Sequence, residues 1–251
     1  MLTHLSMSLV TAGLVSTGLV STGLAHQPET DWYRPVVDEP HPLITEIMFR
    51  VPPGDEGDAF PDGTRDASGD EYVELHNPHD ETIDLTGYTI SDRNRGGQGE
   101  VSFTFPRFRL KPGESVVVIN GHNQRASGLG TADRAPTAEH AELGCYVFTA
   151  GVTSQFTAFS NSGDWVLLSD PDDNPIHVVH WGEFKETVPA AELVETMVSQ
   201  GDGSACRWYP GGPLAPHTQV DGRMMSPGEF PVGPTPEEAA ANADRTDDDD
   251  R

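Results

Sequence analysis

From Leu43 to Trp181 the chain is broken into short β-branched and aromatic runs, each closed by a turn signal before it reaches helical length. The first run, 43–49 (LITEIMF), stops at Pro52-Pro53-Gly54. The second, 71–77 (EYVELHN), alternates, with Val73 and Leu75 on one face and Glu74 and His76 on the other, and stops at Asn77-Pro78. Further runs stand at 83–85, 88–91, 101–105, 115–120, 146–149, 155–159, 165–169 and 176–181. Between them lie Lys111-Pro112-Gly113-Glu114, Asn161-Ser162-Gly163-Asp164 and the Asp170–Pro175 turn. The 26 Gly and 21 Pro fit the same picture. Such a chain predicts an all-β sandwich or barrel and excludes a helix bundle. One stretch, Pro189–Gln200, reads differently. Its early Pro, Leu193 and Met197 four apart, and Gly201 just beyond predict a short peripheral amphipathic helix.

The ends read as separate segments. Residues 1–25 contain no charged side chain, alternate apolar residues with Ser, Thr and Gly, and finish with Gly23 and Ala25 at the -3 and -1 positions of a cleavage site before His26. That pattern predicts a signal peptide, too polar for a membrane anchor, followed by a linker over 26–41. Residues 231–251, with Pro, Ala, Glu and the run Asp247–Asp250, predict a disordered acidic tail. The expected location is secreted, periplasmic or cell-surface. In an oxidising compartment Cys145 and Cys206 pair without remainder and are the expected disulfide, with two buried free thiols as the alternative.

Charge narrows the partners. The formal net charge is -25, and Lys111 and Lys185 are the only lysines. A surface of that sign repels phosphate backbones and anionic headgroups, so neither nucleic acid nor membrane insertion after signal cleavage is expected.

The order of elements resembles the lamin tail domain family. The resemblance lies in Ile44-Thr45-Glu46-Ile47, Glu71–Pro78, Ile83–Asp92, Phe103–Pro106, Leu110–Glu114 and the Ser160–Asp164 turn with the strand after it. Ser204, Arg207 and Ser226-Pro227-Gly228 look like the family's closing stretch. The resemblance implies an immunoglobulin-like sandwich spanning 42–230, of the type found in exported bacterial proteins. The nuclear roles of lamins are not expected here, since the chain carries a signal peptide, no coiled-coil rod and no basic targeting run. Within this frame Val73 and Leu75 are expected in the core and the acids beside them on a solvated face. Two loops exceed the family pattern, Pro52–Asp70 and Gly121–Leu143. Added loops on a rigid scaffold are where function is grafted.

Sharper readings of single residues stand beside plainer ones. Asp55, Asp58, Asp62, Asp66 and Asp70 could supply oxygens to calcium or form a solvated acidic loop. They do not follow the EF-hand spacing, because Glu71 and Asn77 stand where that loop needs Gly and Glu. His177 and His180, three apart on a strand, face opposite ways, which disfavours zinc. No nucleophile elbow, His-Glu-x-x-His helix, phosphate loop or dinucleotide fingerprint is present. Glu71 and Glu74 could act as an acid–base pair, and Trp165 and Trp181 as core or as an aromatic platform. The reading is a non-catalytic binding or cell-surface interaction module for a protein or polysaccharide ligand, with no catalytic residue assigned. The alternative is a secreted hydrolase, calcium-assisted or not, using acids of the 52–70 and 121–143 loops.

Overall fold

The computed structural model describes residues 40–95, 99–197 and 201–233. The expected signal peptide, the 26–41 linker up to residue 39 and the acidic tail from 234 lie outside the described residues. The strands in chain order are β1 (Leu43–Met48), β2 (Tyr72–His76), β3 (Ile83–Asp84), β4 (Thr89–Asp92), β5 (Ser102–Thr104), β6 (Arg109–Leu110) and β7 (Ser115–Ile119). They continue with β8 (Tyr146–Thr149), β9 (Gly163–Ser169), β10 (Pro175–Gly182), β11 (Leu193–Thr196), β12 (Ala205–Cys206) and β13 (Ala215–Pro216), and end in helix α1 (His217–Val220).

Two sheets form the sandwich. One runs β13-β12-β1-β2-β7-β8 and the other β11-β10-β9-β4-β5, with β3 and β6 as a separate small pair. Pairing is antiparallel except at β7–β8 and β10–β11. Apolar residues at alternate positions face the space between the sheets: Val73, Leu75, Val116, Val118 and Phe148 from one, Ile90, Phe103, Val166, Leu168 and Val179 from the other. Trp181 is fully buried there, its indole N–H donating to the Ser160 carbonyl at 2.8 Å, so it is a core residue. Trp165 instead packs edge-on against Phe184.

A bulge in β1 sets up everything on the other side of the first sheet. The register passes from Ile44↔Leu75 directly to Glu46↔Glu74, which leaves Thr45 as the extra residue. Ile44 and Ile47, three apart, can therefore both point into the core, while Glu46 and Met48 point away from it.

Three sequence expectations are corrected. Residues 193–196, the centre of the expected helix, form a strand, because their backbone groups find a parallel partner in β10, with His177↔Leu193 and Val178↔Val194 in register. The short helix of the fold is α1 instead. The run 155–159 is a turn-rich loop: the Phe156 N–H bonds to the Ser154 hydroxyl, the Thr157 N–H to the Ser154 carbonyl, and Phe156 stands exposed.

The third correction is physical. The polar face of β2 is not solvated; Tyr72, Glu74 and His76 are 0%, 1% and 4% exposed. The two long loops cover part of it. Val51 just before the first, Ala59 and Phe60 within it and Leu129 from the second pack with Met48, Val117, Ile119 and Val147 in a second apolar cluster. The loops are stitched to each other by Gly121 N–H to Gly69 O at 3.0 Å, Arg125 N–H to the Asp62 carboxylate at 2.9 Å and Asp66 to His122 at 3.0 Å. Gly69 is required there, since a Cβ would lie 2.2 Å from the His122 carbonyl oxygen.

Candidate functional site

The rest of that outer face is covered by the chain between Ser204 and Phe230, and the contact is polar. Glu46 is 1% exposed and accepts from the Tyr72 hydroxyl at 2.6 Å, the Ser204 hydroxyl, the Ser226 N–H at 3.0 Å and the Ser226 hydroxyl at 3.1 Å. Glu74, its cross-strand neighbour, accepts from the Thr45 hydroxyl and the Gly228 N–H, both at 2.7 Å. Burial first, then the Glu46 carboxylate, holds the Glu74 pKa well above the ordinary carboxylate range. Gly228 sits at φ 89°, and a Cβ there would stand 2.7 Å from the Cys145 sulfur. The Ser-Pro-Gly turn is thus the piece that lets the closing stretch lie flat on two buried acids.

Next to it lies an arrangement that the linear sequence does not announce. The His217 Nε2 is 2.7 Å from the Ser226 Oγ, and its Nδ1 is 2.9 Å from the Asp221 Oδ1. The order resembles a nucleophile, base and orienting acid. Three details oppose that chemistry. Ser226 and His217 are 3% and 1% exposed, so no acyl group can reach the hydroxyl. The hydroxyl has Glu46 as a competing partner. The His217–Asp221 approach, although short, lacks hydrogen-bond direction, leaving Nδ1 without a directed partner. The group works as a fastener of the closing stretch.

A second polar link joins the two sheets. The Ile44 N–H donates to His177 Nδ1 at 3.2 Å, so His177 is neutral with its proton on Nε2, which faces the Glu195 carboxylate at 2.8 Å. Desolvation, opposed by that carboxylate, lowers the His177 pKa to about 4. The fully buried Arg207 closes the ring, donating to the Ile44 carbonyl at 2.9 Å, to the Gly212 carbonyl at 2.5 Å and to Glu195. For Glu195 burial raises the pKa, but hydrogen bonds to His177 and Arg207 and the Arg207 charge outweigh it and hold it at about 2.

At one end of the sandwich Glu71 takes the Asn120 amide at 2.6 Å and the Phe159 N–H at 2.8 Å. It lies on the core side of β2, so Glu71 and Glu74 do not form a pair. Nearby Asp92 takes the Val101 N–H at 2.8 Å and Asp164 the Ser160 N–H at 2.7 Å, while Arg95 lies 3.6 Å from Asp92 and 3.9 Å from Asp164. Burial, reinforced by Asp164, raises Asp92 to about 8.

The residues considered for calcium share one loop but do not converge. Asp66 receives the Ser68 and Gly69 N–H groups on one oxygen and His122 and Asn123 on the other. Asp70 receives the N–H of Phe60 and of Asp66, Asp62 those of Thr64 and Arg125, and Asp58 that of Gly63. Asp55 is exposed on a short 3-10 turn. Among the described residues no three His, Cys, Asp or Glu side chains are placed to hold one ion.

Cys145 and Cys206 are buried free thiols, which corrects the expected disulfide. Three strands, β1, β2 and β7, lie between β12 and the start of β8, so the two are four strand spacings apart. At roughly 4.8 Å per spacing that is about 19 Å, beyond the roughly 7 Å Cα limit for a bridge. Burial pushes the Cys145 thiol up to about 12 and the Cys206 thiol higher still, so neither is a reactive thiolate.

Among the described residues, concavities open to solvent include two of note. One, about 260 Å³, lies in the second long loop over Leu129 and Val147 and is rimmed by Glu139, His140 and Glu142. The other, about 360 Å³, is formed by Trp208, Tyr209, Pro213, Ala215, Gln219 and Val220. In the sequence Trp165 and Trp181 read as core or as an aromatic platform, and Trp208 carries no such reading. The signal was the adjacent Trp208-Tyr209 pair opening the breaker Pro210-Gly211-Gly212-Pro213.

Two face-packed, mainly antiparallel sheets, with polar chemistry turned inward to fasten the chain's end, define an immunoglobulin-like sandwich module. The family model of the Lamin Tail Domain matches residues 40–183, more than half of the chain, and the protein belongs to the lamin tail domain family. No curated protein gives a match.

Proposed function

We propose that the protein is an exported, non-catalytic interaction module that presents a binding surface on a rigid lamin tail sandwich. One observation carries the reading. The nucleophile-and-base arrangement of Ser226 and His217 is buried within the closing stretch, whereas the aromatic pair Trp208 and Tyr209 lines an open groove. The charge-free first 25 residues, ending in a cleavage pattern, support export to a secreted, periplasmic or cell-surface location. The net charge of -25 supports a protein or polysaccharide ligand over nucleic acid or an anionic membrane.

The experiment is hydrolysis of chromogenic esters and glycosides by the full chain and by Ser226→Ala. No turnover above buffer by either is the expected result. Turnover by the parent that Ser226→Ala abolishes would establish the hydrolase reading in its place. N-terminal sequencing of protein collected outside the producing cell tests export, with His26 as the expected first residue.

A further inference from the structure

We infer that the groove at Trp208 and Tyr209 is a binding site for a neutral saccharide, one or two rings wide. This deepens the interaction-module reading and rests on it. The site is built rather than incidental. Arg207, 1% exposed, reaches through the fold to hold the Gly212 carbonyl at 2.5 Å, and the Gly212 N–H bonds to Tyr209 O at 2.9 Å. From the other side the Val232 N–H donates to Trp208 O at 3.1 Å. The strand β13 and helix α1 supply Ala215, Gln219 and Val220 as the remaining wall. A loop fixed from both sides loses little freedom when a ligand arrives.

The lining names the ligand. Trp208 is 42% exposed, one of three large apolar residues left so open among the described residues, and the groove contains no charged side chain in a chain whose net charge is -25. An anion is repelled by the surrounding protein, and a cation finds no carboxylate within the groove. The ligand that fits is uncharged, with an apolar face to lie against the aromatic rings. A pyranose has that shape: its axial C–H groups form an apolar face, and the negative face of an aromatic ring attracts them. Size points the same way. About 360 Å³ is the volume of a small-ligand cleft. A protein partner needs roughly 800 Å² per side, far more than this groove supplies.

The test titrates the full chain, by calorimetry and tryptophan emission, with neutral hexasaccharides of β-1,4-glucose, β-1,3-glucose and α-1,4-glucose and a pentasaccharide of N-acetylglucosamine. At least one is expected to bind, with affinity unchanged in about 0.5 M salt because no charge is involved. Trp208→Ala should weaken that binding at least about tenfold, and Tyr209→Ala should weaken it too, while Phe156→Ala, at an exposed aromatic elsewhere, should leave it unaltered. No binding of any of the four up to about 10 mM overturns the site, as does binding that survives Trp208→Ala in a folded variant. A proline-rich peptide that binds at Trp208 where the sugars do not overturns it in favour of a peptide groove. Absence of sugar binding would leave the interaction-module reading standing. Cleavage of a bound sugar would sink that reading and leave the site.

Discussion

Replacing Arg207 by methionine tests the energetic reading of the inter-sheet ring most directly. Its guanidinium is 1% exposed and faces a Glu195 side chain that is 19% exposed. Methionine keeps most of the volume but strands a carboxylate beside His177 and leaves the Ile44 and Gly212 carbonyls without their donors. Breaking one partner of a buried ion pair costs about 3–5 kcal/mol. For a domain of this size that corresponds to a fall in Tm of roughly 10 °C. Urea unfolding of the parent, Arg207→Met, Glu195→Gln and the double variant measures the four corners of a cycle. The double variant removes both charges, so its loss should be smaller than the sum of the singles by about 2 kcal/mol. A loss below about 1 kcal/mol for Arg207→Met, or strict additivity, would refute the claim that these groups act as one buried network. The same substitution releases the Gly212 carbonyl, so sugar binding at Trp208 should weaken together with stability.

Three further outcomes are expected. Burial raises Asp92 to about 8 and Asp70 to about 6. The folded chain therefore holds protons that the unfolded chain releases, and stability should fall as pH rises from about 4 towards 8. Glu195 and Asp66, both held at about 2, act oppositely and withdraw stability only as pH drops below about 4. Calorimetry from pH 3 to 8 should place the highest Tm near pH 4–5, with Asp92→Asn flattening the alkaline limb; an Asp92→Asn profile parallel to the parent's would contradict the assignment. Thiol titration of the denatured, unreduced chain should count two free thiols, and reductant should leave Tm unchanged; a count of zero would mean that the strands between Cys145 and Cys206 do not separate them as described. Because Asp62, Asp66 and Asp70 spend their oxygens on backbone N–H groups, millimolar calcium should raise Tm no more than magnesium at equal ionic strength; a saturable, calcium-specific rise would show that the loop can reorganise around an ion.

The functional surface was legible only in fragments. Ser204, Arg207 and Ser226-Pro227-Gly228 read in the sequence as a closing stretch, because a Ser-Pro-Gly turn is a local signal. Their partner Glu74 reads as solvent-facing, since an acid in an alternating strand looks the same whether water or a second layer lies above it. Trp208 carries no reading as an aromatic platform in the sequence, because exposure is a property of its neighbours in space, not of its neighbours in the chain.

The sequence by itself determined the all-β character, most strand positions and the turns between them, because period-two alternation and Pro, Gly, Asn and Asp turn chemistry act over a few residues. Only the tertiary structure decided that 193–196 is a strand, since the helical spacing of Leu193 and Met197 was outweighed by the hydrogen-bonding edge that β10 offers. It also decided that Thr45 is bulged and that Glu46 and Glu74 are covered, and it set Cys145, just before β8, far across one sheet from Cys206 in β12. Each of these outcomes depends on which segments meet across the fold. Such meetings are governed by the burial of a shared face and the pairing of backbone groups far apart in the chain, and no local pattern encodes them.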